Sequence, residues 1–343
     1  MVVATLVVVA APGRSFGQVS GIERGGGVDR PYVPPRKRIN YTKVVKPPKN
    51  GSKPPTNPNV PVDDPSMIAI PAEAVKRYEA GRSFYEKGKI DDAINEFEGA
   101  IRIESRYVDA IIDLGDAYYD TAKVDEAIEE YERALVVDKK NIDAEFRLGR
   151  ASYARKDYDT AYRAYSAVLK VRPDDPDAVY NLALTLKALK RYDEAVPYFE
   201  KAIASRKTAF PEARINLSRC YYELGKLPEA EAAARKALTE ISGDNLASAN
   251  AYYSLATALA RKPDLEGATD ALESAVKVCE GCPGDLVSKF YLQLGAIYES
   301  RGEAKKAAKA YETFLQLAPF VPDYQVQDLR EKISKLKASA PAS

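Results

Sequence analysis

Leu114 and Leu148 stand 34 residues apart, each followed by Gly, and Ala93, Ala127, Ala161 and Ala195 keep the same interval. A fixed period of this length means that one short supersecondary unit is copied along the chain, each copy burying its apolar face against the next. Set in register, the copies share a small or apolar pair, an aromatic or apolar residue three later, and an Ala nine after that. An aromatic follows four further on and a small residue at seven. In the first copy these are Ala80 and Gly81, Phe84, Ala93, Phe97 and Ala100; in the second, Leu114 and Gly115, Tyr118, Ala127, Tyr131 and Ala134. Spacings of three and four are helical, while Gly88 in one copy and the polar run Thr121 to Lys123 in the other divide each unit in two. Each unit is therefore predicted to be a helical hairpin. Small residues at Gly115 and Ala127 would let its two helices approach closely, with Tyr118 and Tyr131 filling the space around the contact.

The residue classes at these positions resemble the tetratricopeptide repeat. Pro173 and Pro319 stand where that family often ends its second helix, as suits a residue that cannot continue one. The leucine or its equivalent recurs at Ala80, Leu114, Leu148, Leu182, Leu217, Leu255 and Leu294, which makes seven units over roughly residues 72 to 321. The resemblance implies an all-α fold, a right-handed superhelical solenoid of about seven hairpins. In the later units Ala183, Ser218 and Ala256 replace the Gly, and Ala234 replaces the large aromatic. The interval stretches to 35 between Leu182 and Leu217, then to 38 and 39, with the extra residues near Thr208, Gly243 and Gly281. These are expected to lengthen the loops between units. A solenoid must also be closed at its end. Val326, Leu329, Ile333 and Leu336 recur at helical spacing, with Arg330, Lys332, Lys335 and Lys337 between them, and predict an amphipathic capping helix within residues 322–343.

Charge divides the chain. Residues 1–70 carry ten Lys or Arg against four Asp or Glu, whereas the remainder carries 41 against 46. The apolar run at residues 2–11 is too short to span a bilayer but suits the core of a secretory signal, so residues 1–17 are expected to be a signal peptide and the protein to be exported, periplasmic or secreted. The basic leader that normally precedes such a core is missing. From residue 18 to 71 the composition turns to Gly, Pro, Lys and Arg, with eleven prolines between Pro31 and Pro71, and a disordered linker is expected. Its basic residues, within 24–53, suit an acidic partner, an anionic membrane or wall polymer, or the acidic body of the chain itself. Nucleic acid is not expected, because export argues against it and the aromatics interleaved there are limited to Tyr32 and Tyr41.

The chain has no His, which removes the commonest general base near neutral pH and the commonest metal ligand. Its carboxylates follow the repeat rather than interrupt it. Neither catalysis nor a cofactor or metal is expected. Cys279 and Cys282 form a CxxC, a weak signal alone: zinc would need about four ligands, and thioredoxin-like chemistry needs a strand-to-helix setting. In an exported chain a local disulfide is expected.

In the resembled family the first helices line a concave face whose exposed positions recognise partners. That assigns one row to Tyr85, Tyr119, Tyr153, Lys187 and Tyr222, and a second to Tyr78, Ile112, Phe146, Tyr180, Ile215, Tyr253 and Leu292. Arg82, Asp116, Arg150, Leu184 and Arg219 lie between them, and Asn181 and Asn216 match the family consensus. Aromatics with a polar tip interleaved with Arg dominate interface energetics, although Tyr at these rows also serves packing between helices. The Lys and Asn clamp of chaperone-tail-binding members is not matched, because Tyr78 and Arg82 occupy those positions. The expected function is a non-catalytic scaffold holding an extended segment of a partner protein, within an envelope assembly. The alternative is an envelope adaptor whose basic arm binds membrane or wall polymer and whose solenoid is a spacer.

Overall fold

The computed structural model describes residues 70–206, 208–318 and 321–339. Among them are fifteen helices and no strand. Seven antiparallel hairpins follow one another: α1 (Ala72–Glu86) with α2 (Ile90–Ile103), α3 (Val108–Asp120) with α4 (Val124–Val137), α5 (Ile142–Ala154) with α6 (Tyr158–Val171), and α7 (Pro176–Ala188) with α8 (Tyr192–Ser205). Then come α9 (Pro211–Glu223) with α10 (Leu227–Glu240), α11 (Asn245–Arg261) with α12 (Leu265–Val278), and α13 (Gly284–Ser300) with α14 (Ala304–Leu317), before a last helix, α15 (Asp323–Ser339). Each helix packs mainly on its neighbours in sequence, as in a solenoid. The proposed signal, the Pro-rich linker and Pro319 lie outside the described residues, and among those described no helix is long and apolar enough to cross a membrane.

Five of the helices begin where a side chain satisfies their first backbone N–H groups. The side chains of Asn141, Asp157, Asp175, Asp244 and Asp264 accept from those groups, and Pro176 and Pro211 open α7 and α9. The turn between the helices of a unit needs one residue in the left-handed region. Gly88, Ala122, Lys156, Lys190, Gly225 and Gly302 fill that place in register, with φ between 61° and 75°. Only three of the six are glycine, so the other three hold strained backbone.

Inside each unit the contact is that of a small residue under a ring. A Cβ added to Gly115 would stand 2.6 Å from the Tyr131 ring, and one added to Gly295 would stand 2.5 Å from that of Tyr311. Gly81 faces Phe97 and Gly149 faces Tyr165 in the same way. Where the later units lose the ring they also lose the glycine. Ser218 stands in the α9 position and Ala234 in the α10 position, and the space is closed by the Ser218 hydroxyl donating to the Ala230 carbonyl at 2.7 Å. Units are then fastened to one another by a recurring tyrosine. Tyr118 donates to Glu98 of the preceding unit at 3.0 Å, Tyr221 to Glu200 at 2.6 Å and Tyr298 to Glu273 at 2.5 Å.

The stretched intervals are not longer loops throughout. Four residues separate α4 from α5, and four also separate α10 from α11; five separate α12 from α13. Instead α11 and α13 are 17 residues long where α3 and α5 are 13, and Leu255 and Leu294 are each the eleventh helical residue where Leu114 is the seventh. The insertions add a turn to the start of the first helix. Four residues rotate a helix by only about 40° beyond a full turn, so the apolar face stays on the core. The added turn lets α11 pack along α9 more extensively than the earlier first helices pack on one another. Between α8 and α9 the single extra residue does fall in the loop.

At the C-terminus α15 lies on α14, with Ile333 buried and Leu329 and Leu336 partly buried against the core of the last two units. Arg330, Lys332, Lys335 and Lys337 face outward; Lys332 donates to Glu299 at 3.2 Å and Lys337 to Glu312 at 2.5 Å.

Two substitutions test this account by urea denaturation. Gly115→Val should lower stability by about 1–3 kcal/mol through overpacking against Tyr131. Lys190→Gly should raise it by about 0.5–1 kcal/mol by releasing the left-handed backbone.

Candidate functional site

The first helices α1, α3, α5, α7 and α9 touch in succession, so their outer faces form one continuous strip. The structure sorts the residues expected there into two kinds. Tyr85, Tyr119, Tyr153, Lys187 and Tyr222 are partly accessible along the strip. The Tyr85 hydroxyl donates to Asp120. The Arg150 guanidinium lies over the Tyr119 ring at 4.3 Å, and that of Arg261 over Tyr222 at 5.0 Å. Lys187 donates to Asn216 at 2.5 Å.

The second row serves mainly as core. Ile112, Tyr180 and Ile215 are buried, as is Leu184 beside them. Tyr180 is wedged between Phe199 and Phe210, with ring centroids at 6.0 and 4.7 Å. Phe146 packs on Tyr165 at 5.6 Å and Tyr253 on Phe290 at 5.4 Å. Tyr78 is partly accessible, stacked on Tyr107 at 5.0 Å with its hydroxyl donating to Asp113 at 3.1 Å. Asn181 and Asn216 are fully buried, and Asn216 donates to the Glu212 carbonyl at 3.0 Å. Burial takes Ile112, Tyr180, Leu184, Ile215, Asn181 and Asn216 out of a partner's reach, whereas Tyr78, Phe146 and Tyr253 stay partly accessible while packing on neighbouring rings.

The intervening charges differ in the same way. Arg82 is partly accessible, 4.0 Å from Glu86, and Arg219 donates to Asn250 at 2.9 Å. Asp116 and Arg150, however, are only 3% and 8% exposed. One Asp116 oxygen accepts from Tyr131 at 2.7 Å and from Arg150 at 3.1 Å, while the other accepts from Arg147 at 2.9 Å. Burial is the largest influence and opposes the charge on both arginines, but Asp116 together with Tyr131 and the other groups around them outweighs it and holds their guanidiniums more strongly protonated than usual. Burial, then Asp116, pushes the Tyr131 hydroxyl well above its ordinary range. Arg147 was not among the expected site residues. The signal for this network is that opposite charges, Asp116 and Arg150, occupy the same repeat position in consecutive units.

A second group without a sequence forecast is a ladder of acids. Asp109, Asp143 and Asp177 begin α3, α5 and α7 in the same register. Asp143 pairs with Arg172 at 3.6 Å and Asp177 with Arg206 at 3.4 Å, each 29 residues onward. The residue 29 beyond Asp109 is Asp138, which turns instead to the backbone N–H of Lys140 and to Asn141. Asp109 therefore makes no hydrogen bond or ion pair among the described residues. Burial and the neighbouring Asp113 push its carboxyl up to about 7, against the pull of Arg82.

Away from the strip, Cys279 and Cys282 form a disulfide with their Cα atoms 5.1 Å apart, at the junction of α12 and α13, and Cys220 is fully buried in α9. The basic residues within 24–53 lie outside the described residues.

A family model described as Tetratricopeptide repeat matches residues 78–145, 146–209 and 232–285, together more than half of the chain. Two further models of the same description match residues 186–244 and 288–320. No curated protein matches the chain. Among solved structures, a tetratricopeptide repeat protein from Parabacteroides merdae is similar over 77% of this chain and 100% of its own, with a TM-score of 0.59 and 19% identity. MamA from Desulfovibrio magneticus RS-1 is 17% identical over 50% of this chain and 96% of its own, with a TM-score of 0.48. YrrB, described as a TPR protein with an unusual peptide-binding site, is 22% identical over 53% of this chain and 91% of its own, with a TM-score of 0.46.

The buried network gives a clear expectation for mutagenesis. Asp116→Ala would leave the buried Arg150 without its carboxylate and Arg147 with the charge of Asp113 alone, and should cost about 3–5 kcal/mol by thermal or urea denaturation. Asp116→Asn should recover only part of that loss, since it restores shape and one acceptor oxygen but turns the other into a donor and removes the charge.

Proposed function

Because the chain belongs to the tetratricopeptide repeat family, we propose that it is a non-catalytic interaction scaffold whose first-helix strip holds an extended segment of a partner protein. The observation that carries this reading is the row Tyr85, Tyr119 and Tyr153, partly accessible on three successive first helices. Each ring offers an apolar surface and a hydroxyl with little side-chain entropy to lose, which is why such residues anchor interfaces. The buried second row contributes indirectly, by fixing the spacing at which the first row is presented. An extended backbone laid across the strip meets one tyrosine per unit. The apolar run at residues 2–11 and the Cys279–Cys282 disulfide both support a place outside the cytoplasm, in an envelope assembly.

The test is capture of partners by the full chain and by Tyr85→Ala/Tyr119→Ala/Tyr153→Ala, with far-ultraviolet circular dichroism as the check on folding. Capture should fall by about tenfold or more, as expected when several interface anchors are lost together, while helicity is retained. Undiminished capture would favour the adaptor reading, in which the basic arm makes the contacts and the solenoid is a spacer.

A further inference from the structure

We propose that the acidic part of the strip, formed by α1 and α3, is occupied by the chain's own basic segment, residues 36–49, with a Lys or Arg side chain placed against Asp109. This rests on the reading of the first-helix strip as the binding surface, and it names what fills that surface in the absence of a partner.

The argument starts from the break in the acid ladder. In the next two units the equivalent carboxylate is neutralised from within, by Arg172 and Arg206. At Asp109 the repeat supplies Asp138 instead, so the position keeps the acid and loses its cation. A partly buried carboxylate left in this way is destabilised by burial, and a cation brought from elsewhere relieves it.

The surroundings reinforce the sign. Glu79, Glu86, Asp113 and Asp120 lie on the same faces of α1 and α3, with Arg82 the cation that the helical register sets among them. Tyr78 and Tyr85, 7 residues and two helical turns apart on α1, each direct a hydroxyl to an aspartate of α3, namely Asp113 and Asp120. Every such pair sets a carboxylate beside an aromatic ring, an arrangement that attracts an ammonium or guanidinium group by both charge and ring quadrupole. Of the arginines of the third unit, Arg150 is buried against Asp116, while Arg147, which Asp116 also holds, acts on Asp113 as well; neither is among the charges acting on Asp109.

The chain itself carries the complementary segment. Residues 36–49 contain Arg36, Lys37, Arg38, Lys43, Lys46 and Lys49 and no acid, within an N-terminal stretch of net charge +6, while the rest of the chain is −5. Residues 50–71 join that segment directly to α1. A random-coil chain of about this many residues has a root-mean-square span of roughly 25 Å, enough to reach back along α1 to α3. The effective concentration is then about millimolar. A partner of similar chemistry at micromolar concentration has to displace the arm.

Two measurements on the full chain test the proposal. Zero-length carbodiimide cross-linking followed by mass spectrometry should join Lys43, Lys46 or Lys49 to Asp109, Asp113 or their acidic neighbours. The yield should not change on dilution and should vanish at about 0.5 M salt, where charges are screened within a few Å. A labelled peptide of residues 36–49 should bind the full chain roughly tenfold or more weakly than a chain whose six basic arm residues are changed to Gln, because the native arm competes for its site. Asp109→Asn together with Asp113→Asn should abolish binding to both. Equal peptide affinity for the two chains, or cross-links that form only between copies, overturns occupancy by the arm while leaving a binding surface. Absence of peptide binding to both chains overturns the acidic surface as well.

Discussion

The arrangement of each unit depends on how closely its two helices can approach, and in four of the seven that is set by a residue with no side chain beneath an aromatic ring, with Ala183, Ser218 or Ala256 in its place in the others. At Gly81, Gly115, Gly149 and Gly295 a single added carbon would collide with Phe97, Tyr131, Tyr165 or Tyr311. Interiors packed near crystal density transmit such a change to their neighbours. The hairpin geometry is consequently the same wherever the pair recurs, and only units of the same shape can be stacked by translation. In the fifth unit both partners change together, to Ser218 and Ala234, which keeps the approach without the ring.

Stacking leaves the first helices in line and thereby creates both the accessible tyrosine row and the sites where charge is trapped between units. Asp116 is shared by Arg147 and Arg150 of the next unit and by Tyr131 of its own. A buried cluster of this kind adds little net stability compared with an apolar one, but removing a member is costly. Its effect here is on the surface charge. Arg150 is committed inside by Asp116, while Arg147 stays a quarter exposed and acts on Asp113 as well, so the acids of α1 and α3 are only partly balanced from the third unit.

Much of the fold was legible in the chain because the positions that make it are core positions repeated every 34 residues. The added turns of α11 and α13 were not, since four residues inserted at a helix start leave the apolar phase almost unchanged and look like loop in a spacing count. The site was less legible for a related reason. Arg150 and Asp116 occupy positions where charge normally means solvent, and only comparison across units reveals that they oppose each other. Asp109 was harder still: what singles it out is a partner missing 29 residues away, visible only after the structure shows Asp143 and Asp177 paired at that distance. The Tyr row was readable as residue types, but which members pack and which face outward depends on the next unit, not on the local sequence.

The two ends of the strip impose a direction and a length on any occupant. An extended segment of 14 residues covers about 43 Å at roughly 3.1 Å per residue, and packed helices lie about 8–10 Å apart, so such a segment is long enough to cross several first helices. A basic segment finds carboxylates over α1 and α3. Further along, the repeat position held by Tyr85, Tyr119 and Tyr153 becomes Lys187, whose ammonium is held at Asn216. A cationic segment gains nothing by continuing past that point. The change from Tyr to Lys at the fourth unit therefore sets the far limit of the acidic, tyrosine-bearing surface, and the unpaired Asp109 sets where a positive charge is most needed.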